Sequence, residues 1–117
     1  MIRFVEQNIQ GVFLVENFTA QDSRGVFVKT LSVDKLQQNG FTSPFSESYY
    51  SKSFKNVIRG MHFQTPPFEH DKLVYVTEGA ILDVILDIRT TKEEKQNRDY
   101  TTLLNQSSHP KSIAGCL

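Results

Sequence analysis

The segment between Val57 and Arg89, "VIRGMHFQTPPFEHDKLVYVTEGAILDVILDIR", places ionisable residues among apolar ones that are typical of β-strands. His62 is the first of these residues that could do chemistry. The imidazole of a histidine that lines a pocket can act as a general base, because its pKa lies near neutral pH. A lone histidine in a strand is more often structural than catalytic, so the residue type alone leaves both interpretations open.

Lys72 and Asp83 form the second chemical feature of this segment. If Glu78 and Gly79 make a two-residue hairpin turn, the strands on either side pair, and Lys72, Asp83 and Asp87 share one face. A face that mixes charged residues with isoleucines suits the wall of a polar pocket. The alternative is a surface Lys–Asp pair that contributes less than about 1 kcal/mol. The opposite face is expected to be the core face, and it consists of Leu82, Val84, Leu86 and Ile88.

The spacing of the histidines argues against a metal site. A metal pair on one strand would need a second histidine two positions after His62, and that position is Gln64. Glu69 and His70 follow in a predicted loop. One imidazole and one amide make a poor site for a divalent transition metal, so we expect none.

Two arginines raise the question of an anionic ligand. Arg24 follows Asp22 and Ser23 in a glycine-containing turn, where its guanidinium could make a forked contact with a phosphate. Arg59 lies three residues before His62. Either arginine alone is typical of a protein surface, but two of them flanking a candidate base make a phosphate-bearing substrate worth testing.

The elements that must position these residues are short strands. Turn residues in "TAQDSRG" separate the first two strands, "VDKLQQNG" predicts a brief helix that ends at Gly40, and "TTKEEKQNRD" predicts a solvated turn or a single helical turn. The final segment "LNQSSHPKSIAGCL" has few large apolar residues and no clear alternation. Many strands with little helix indicate an all-β sandwich or barrel. The runs that predict strands are "GVFLVENF", "GVFVKTLSV", "NVIRGMHFQ", "KLVYV" and "AILDVILDI".

Length and composition narrow the class of protein. The 117 residues predict one domain, and the 13 basic and 13 acidic side chains cancel, so neither a nucleic-acid nor a membrane surface is expected. No apolar run reaches the roughly 20 residues that span a bilayer, and no signal-peptide pattern is expected at the N-terminus. The single cysteine, Cys116, suits a reducing cytoplasm and is interpreted as an ordinary free thiol.

Four motifs, taken together, resemble those of the dTDP-4-dehydrorhamnose 3,5-epimerases, which are cupin-fold enzymes acting on nucleotide sugars. The motifs follow the family's order and spacing between about residues 10 and 90, and the most specific is "RG-x-H-x-Q-x-P-P". The resemblance implies an antiparallel cupin-type β-roll, or jelly roll, with little helix. The four motifs are "DSRGVF", "VIRGMHFQTPP", "KLVYVTEG" and "DVILDIR".

The resemblance implies a role for each matching residue. His62 matches the histidine that removes protons from carbons beside the sugar ketone, and Lys72 matches the lysine near the keto oxygen, where a cation stabilises an enolate. Asp83 matches a polar pocket position, and we group it with these two as catalytic. The residues that match substrate-binding positions are Arg24 and Arg59 for the diphosphate, Phe27 beside the nucleotide, and Gln64 in the pocket.

The implied reaction is epimerisation of a dTDP-4-keto-6-deoxyhexose in deoxysugar (dTDP-rhamnose type) biosynthesis, which supplies lipopolysaccharide. A positioned base removes the proton beside the carbonyl, and reprotonation from the opposite face inverts the centre. This chemistry requires neither a metal nor a redox cofactor. The family relation also implies a homodimer in which N-terminal strands cross between subunits, so that Arg24 or Phe27 serves a neighbouring site.

The chain departs from the family pattern on the nucleotide side and at its C-terminal end. Lys29 stands where the family has Glu, and Glu47, Ser48 and Tyr49 replace a "Q-x-N" segment, which leaves the recognised base open. The segment "HPKSIAGCL" resembles a degraded "P-x-G-x-A-H-G-F", and the family's donor tyrosine and the acidic partner of its histidine do not follow.

These departures set the expectations for the chain as a whole. We expect a single domain over residues 1–117 that lacks C-terminal strands of the family, with weak or absent turnover. Two alternatives stay open. One is a non-catalytic sugar-nucleotide-binding or dimerisation cupin, and the other is an isomerase for a different 4-keto sugar nucleotide.

Overall fold

The computed structural model describes residues 1–42, 45–89, 99–105 and 111–116. Within these ranges the chain is built of short strands with one short helix, so the predicted all-β class is confirmed. No helix in the described ranges combines the length and apolar character needed to cross a membrane. In chain order the elements are β1 (Arg3–Glu6), β2 (Phe13–Glu16), β3 (Phe18–Asp22), β4 (Gly25–Lys29), α1 (Val33–Gln38), β5 (Asp71–Tyr75), β6 (Ala80–Leu86), β7 (Asp99–Asn105) and β8 (Lys111–Cys116).

The strands form three antiparallel sheets. The largest has the order β1-β2-β8-β5, and the other two are the pairs β3–β4 and β6–β7. The predicted hairpin between β5 and β6 is wrong, because β5 pairs with β8 and β6 pairs with β7. Val74 and Val76 instead pack against the cluster that contains Ile85. The two strands therefore face each other across a core, which buries apolar surface that side-by-side pairing would leave open.

The first core lies between the four-stranded sheet and α1. Leu36 is the buried residue of the helix, and it packs with Ile2, Val15 and Phe41. Phe4 and Phe13 pack against this cluster, and the rings of Phe4, Phe13 and Phe41 lie with centroids 5.6–6.2 Å apart. The brief helix predicted here is confirmed; it ends at Gln38, and Gly40 follows with a φ of 89° that favours glycine.

The second core holds β6–β7 against the turn between β1 and β2. Ile9 and Val12 from that turn are buried with Ile85 and Leu104, and Leu104 has no exposed surface. Gly11 has a φ of 84°, which lets the chain reverse tightly enough to present both apolar side chains. This core fixes which face of β6 is turned inward.

The inward face of β6 is the opposite of the predicted one. Ile85 is 5% exposed and Asp87, just beyond the strand, is 8% exposed. The predicted core residues are exposed instead: Leu82 66%, Val84 45%, Leu86 48% and Ile88 54%. Both faces of this strand are apolar, so alternation alone does not decide which one is buried. The contacts of Ile85 with Ile9 and Val12 decide it.

The same substitution at two positions, Ile85 and Ile88, tests which face of β6 is buried. Ile85→Val removes one buried methylene and is expected to lower the free energy of unfolding by about 0.5–1.5 kcal/mol. Ile88→Val removes the same group from an exposed side chain and is expected to cost much less. Urea denaturation measures both. An equal or larger loss for Ile88→Val would contradict the orientation of the strand.

Residues 45–70 form a segment, here called the exposed segment, in which every residue is exposed and none lies in a strand. The strand predicted from "NVIRGMHFQ" is therefore wrong in this structure. A strand requires a neighbouring strand for its backbone groups, and none of the described strands pairs with this segment. Asn56 and Gly60 also have φ values of 66° and 112°, which interrupt an extended run.

The C-terminal part contains strands that the sequence pattern does not indicate. β8 lies inside the four-stranded sheet, with β2 on one side and β5 on the other, so both edges of its backbone are paired. Pairing on two sides compensates for a weak intrinsic preference, since strand formation depends strongly on context. The turn predicted for "TTKEEKQNRD" lies outside the described residues apart from Asp99, which begins β7.

Candidate active site

Lys72 on β5 and Asp83 on β6 lie near enough for their charges to interact. Lys72 lies two residues before Val74 and Asp83 two residues before Ile85, so each shares a strand face with a residue of the second core. The positive charge of Lys72 acts on the Asp83 carboxyl group, and both side chains belong to partly buried residues. The structure therefore brings these two predicted site residues together, although not through the predicted hairpin.

Burial raises the pKa of the Asp83 carboxyl group above its ordinary value of 3.8. A backbone hydrogen bond at Val84 and the charge of Lys72 both act in the opposite direction, but burial has the larger effect. A carboxyl group of this kind can orient an ammonium group and binds a proton more readily than an exposed aspartate. Such perturbed pairs are typical of functional sites.

The raised pKa predicts a pH-dependent stability effect for Asp83→Asn. Between the unfolded and folded pKa values the folded chain binds more protons than the unfolded chain, so stability falls as the pH rises through this window. At neutral pH, Asp83→Asn is therefore expected to raise the free energy of unfolding. The gain should disappear as the pH falls below 3.8, where the carboxyl group is protonated in both states.

Urea denaturation across the acidic to neutral range measures this effect, with Asp71→Asn as the matched control. Asp71 is also partly buried, and it lies next to Lys72 on β5 but on the other face of the strand. A loss of stability for Asp83→Asn at neutral pH would show that Lys72 stabilises the carboxylate more than burial destabilises it.

Asp87 does not join this pair. Its carboxylate is buried and accepts hydrogen bonds from Arg89, from Nε at 2.9 Å, Nη2 at 2.8 Å and the backbone N–H at 3.0 Å. Arg89 also donates from Nη2 to the carbonyl oxygen of Gln10 at 3.0 Å. Asp87 is thus committed to a structural ion pair with Arg89 and does not act as a third charged group beside Lys72 and Asp83.

His62, Gln64 and Arg59 all lie in the exposed segment. Arg59 donates from Nε to Ser53 Oγ at 2.9 Å. Within the described part of the chain, no hydrogen bond or ion pair joins these three residues to Lys72 or Asp83. Gly60 has a φ of 112°, a conformation that other residues rarely adopt, so the glycine between Arg59 and His62 is required by the backbone.

Arg24 and Phe27 lie on the hairpin formed by β3 and β4. The Asp22 carboxylate holds the Arg24 guanidinium in a fork, with Nη2 to Oδ2 at 2.7 Å and Nε to both oxygens at 3.2 Å. This contact lowers the pKa of Asp22 and raises that of Arg24. Phe27 is 58% exposed and touches Phe18 at a centroid distance of 6.5 Å, which leaves most of its ring open to a ligand.

The sequence analysis did not predict the ion-pair partners of Arg24 and Arg89. Both partners follow the same sequence pattern. Asp22 precedes Arg24 by two residues and Asp87 precedes Arg89 by two residues. In both pairs the aspartate accepts the backbone N–H of the arginine two residues later as well as its guanidinium, so Asp-x-Arg favours a local forked ion pair. The first pair is exposed at the tip of a hairpin, whereas in the second, beyond the end of β6, the carboxylate is buried and the arginine is partly exposed.

Two further observations concern other kinds of site. Among the described residues, no three His, Cys, Asp or Glu side chains cluster closely enough to hold a metal ion. A pocket of about 210 Å³ lies beside α1, but it is lined by apolar and uncharged residues and contains none of the predicted site residues. Its lining consists of Leu31, Val33, Leu36, Gln37, Phe41, Thr42 and Phe45.

The antiparallel sheets, which pack against each other around the second core, define a chain of the cupin-type β-roll class. The family model for dTDP-4-dehydrorhamnose 3,5-epimerase matches residues 6–111. The chain belongs to the dTDP-4-dehydrorhamnose 3,5-epimerase family. The resemblance read from the four motifs is therefore confirmed.

Individual relatives agree with this assignment. The dTDP-4-dehydrorhamnose 3,5-epimerase of Escherichia coli K12 is 36% identical over 86 residues, which cover 73% of this chain and 46% of the relative. The structure of NovW, a 4-keto-6-deoxy sugar epimerase from Streptomyces spheroides, is 26% identical with a TM-score of 0.88, over 99% of this chain and 58% of NovW. The chain spans about half the length of these relatives.

A third comparison concerns the fold alone. The epimerase RmlC of Legionella pneumophila, solved in complex with dTDP-4-keto-L-rhamnose, has a TM-score of 0.88 at 24% identity, over 99% of this chain and 61% of RmlC. The fold of this chain thus follows that of the matched part of RmlC.

Proposed function

We propose that this chain carries part of the active site of a nucleotide-sugar 3,5-epimerase that acts on a dTDP-4-keto-6-deoxyhexose. The observation that carries the proposal is the Lys72–Asp83 pair between two sheets, in a chain whose family is named for this reaction. A ketone oxygen beside Lys72 would gain a cation at the position where negative charge develops in an enolate.

The proposed steps use groups of this chain. His62 takes the proton from the carbon beside the ketone, and the electrons of the broken C–H bond form the enolate, whose oxygen is stabilised by Lys72. Asp83 keeps the Lys72 ammonium group directed into the space between the sheets. Water delivers a proton to the opposite face of the same carbon, which inverts the centre and regenerates the ketone, and the protonated His62 releases its proton to the resulting hydroxide.

His62 must approach Lys72 for these steps, and the chain permits it. Nine residues separate the two positions, and His62 lies in the exposed segment, where no burial of its own holds it away from the sheets. An extended chain spans up to about 3.3–3.6 Å per residue, so this connection is long enough for a substrate to lie between the two side chains.

The proposed substrate contacts are divided between two parts of the chain. Arg24 on the β3–β4 hairpin and Arg59 in the exposed segment bind the diphosphate, Phe27 stacks on the base, and Gln64 contacts the sugar. Arg24 must leave Asp22 to do so, and that exchange is easy because both side chains are exposed and the ion pair is weak. The diphosphate of the substrate offers a partner of higher charge.

Solvent-deuterium incorporation tests the proposal. The chain is incubated with dTDP-4-keto-6-deoxyglucose in deuterium oxide, and exchange at the carbons beside the ketone is followed by NMR. We expect exchange faster than in buffer alone, even if complete double inversion is slow. Binding of dTDP without any exchange would instead establish the second candidate, a sugar-nucleotide-binding chain, which the position of His62 in the exposed segment, outside the sheets, favours.

We also propose that the chain forms a homodimer. Leu82, Val84, Leu86 and Ile88 form an exposed apolar row on β6 and just beyond it, and a surface of this kind favours association. Leu86→Glu is expected to shift the chain toward monomer in sedimentation velocity, whereas Val33→Glu, on exposed surface of α1, should not. A wild-type chain that is monomeric at all concentrations would contradict the dimer.

Two further parts of the proposal rest on the family relation. They are a cytoplasmic location and a role in supplying the deoxysugar of lipopolysaccharide.

A further inference from the structure

A clamp built on one buried carboxylate joins the end of β6 to the turn between β1 and β2. It consists of Asp87, Arg89 and the backbone carbonyl of Gln10. The Asp87 carboxylate receives three hydrogen bonds from Arg89, and its side chain is 5% exposed. Bidentate arginine–carboxylate contacts of this kind fix orientation as well as distance.

The clamp connects parts of the chain that are far apart in sequence. Arg89 Nη2 donates to the Gln10 carbonyl at 3.0 Å, across a separation of 79 residues. The turn that presents this carbonyl is itself well held. Gln7 N–H donates to the Val12 carbonyl at 2.8 Å, and Gly11 N–H donates to Glu6 Oε1 at 3.0 Å.

The clamp matters for Lys72 and Asp83 because no backbone pairing aligns them. Lys72 lies on β5, which pairs with β8, whereas Asp83 lies on β6, which pairs with β7. Their mutual position depends on how the two sheets are packed and on how β6 is rotated about its own axis. Among the described strands, β6 has β7 alone as its paired neighbour, which leaves that rotation weakly determined by hydrogen bonds.

Asp83, Ile85 and Asp87 form one row on the inner face of β6 and its extension. Ile85 packs on the β1–β2 turn, and Asp87 is clamped to the same turn through Arg89. Asp83 is about 13 Å along the strand from Asp87, at four residues of roughly 3.3 Å each. Fixing the row at Ile85 and Asp87 therefore fixes the direction of Asp83.

We propose that Asp87 and Arg89 are positioning residues: by clamping β6 to the β1–β2 turn, they hold Asp83 facing Lys72 across the two sheets. The role of that pair in catalysis rests on the proposed function, but the clamp itself can be tested without any activity. Asp83 is the reporter, since its surroundings are Lys72 from β5, Thr102 opposite it on β7, and the Asp87–Arg89 pair on its own strand.

The test is an NMR titration of the Asp83 carboxyl carbon in three variants. Arg89→Ala removes the clamp. Arg89→Lys keeps a positive charge beside Asp87, but an ammonium group cannot reproduce the fork and the contact with Gln10 together. Arg3→Ala is the control, because Arg3 pairs with Glu16 across the same β1–β2 hairpin and its described contacts do not include β6.

We expect the apparent pKa of Asp83 to move toward the ordinary value of 3.8 in both Arg89 variants, as the inner face of β6 opens to water, and to stay unchanged in Arg3→Ala. If the wild type exchanges deuterium, the Arg89 variants should also lose rate while their affinity for dTDP is retained, as misplacement of a catalytic group predicts.

Folded Arg89 variants in which Asp83 titrates as in the wild type would overturn the proposal. Failure of Arg89→Lys to fold would also overturn it, since the fork would then be a requirement of the whole fold. A wild type that exchanges no deuterium would contradict the proposed function but not the clamp, because the titration of Asp83 still decides that question.

Discussion

His62→Ala is expected to slow solvent-deuterium incorporation into dTDP-4-keto-6-deoxyglucose by about 10²–10⁴-fold, the range that a positioned general base contributes. The physical reason is that a C–H bond beside a ketone is a weak acid, so removing its proton requires a positioned base. His62 is exposed, so its removal leaves the two cores intact and should not change the free energy of unfolding.

His70→Ala is the matched control for this experiment. His70 lies in the same exposed segment, where its Nδ1 is 3.2 Å from the Phe68 carbonyl oxygen. The control should exchange deuterium at the wild-type rate. Exchange that persists unchanged in His62→Ala would remove the proposed mechanism. An equal loss in both variants would show that the exposed segment acts through its conformation and not through one imidazole.

The fold could be predicted where local pattern and local structure coincide. β2, β4, β5, β6 and α1 all appear where short β-branched and aromatic runs predict strands and "VDKLQQNG" predicts a brief helix. β8 could not be predicted, because its pairing with β2 and β5 is a property of the assembled sheet and not of "KSIAGC". Long-range pairing of this kind overrides intrinsic strand preference.

The candidate site was predicted by residue type and by resemblance, but not by geometry. Lys72 and Asp83 were expected to meet through a hairpin, and they meet because two sheets pack at Ile85. The predicted core row of Leu82, Val84 and Leu86 is exposed for the same reason. When both faces of a strand are apolar, the partner that covers one of them decides the orientation, and the strand's own sequence does not contain that information.

Lys72→Met is the second substitution with a large expected effect. It keeps an unbranched side chain of similar length and removes the cation, so it should slow deuterium exchange by about 10²–10³-fold, as loss of an enolate-stabilising group does. The same change removes an interaction that lowers the pKa of Asp83, so that pKa should rise further. Lys35→Met, on α1, is the control and should alter neither quantity.

The exchange rate and the pKa of Asp83, measured together in Lys72→Met, distinguish a catalytic role of Lys72 from a purely electrostatic one. Asp83→Asn, alone and combined with Lys72→Met, then tests whether the two residues act together. If Asp83 acts by directing the ammonium group of Lys72, the double substitution should cost little more than Lys72→Met alone, since partners in one interaction are not additive. Additive losses would mean that the two residues act independently on the substrate. A raised pKa of Asp83 with an unchanged exchange rate would leave Lys72 as an electrostatic neighbour only, and the enolate would need another source of stabilisation.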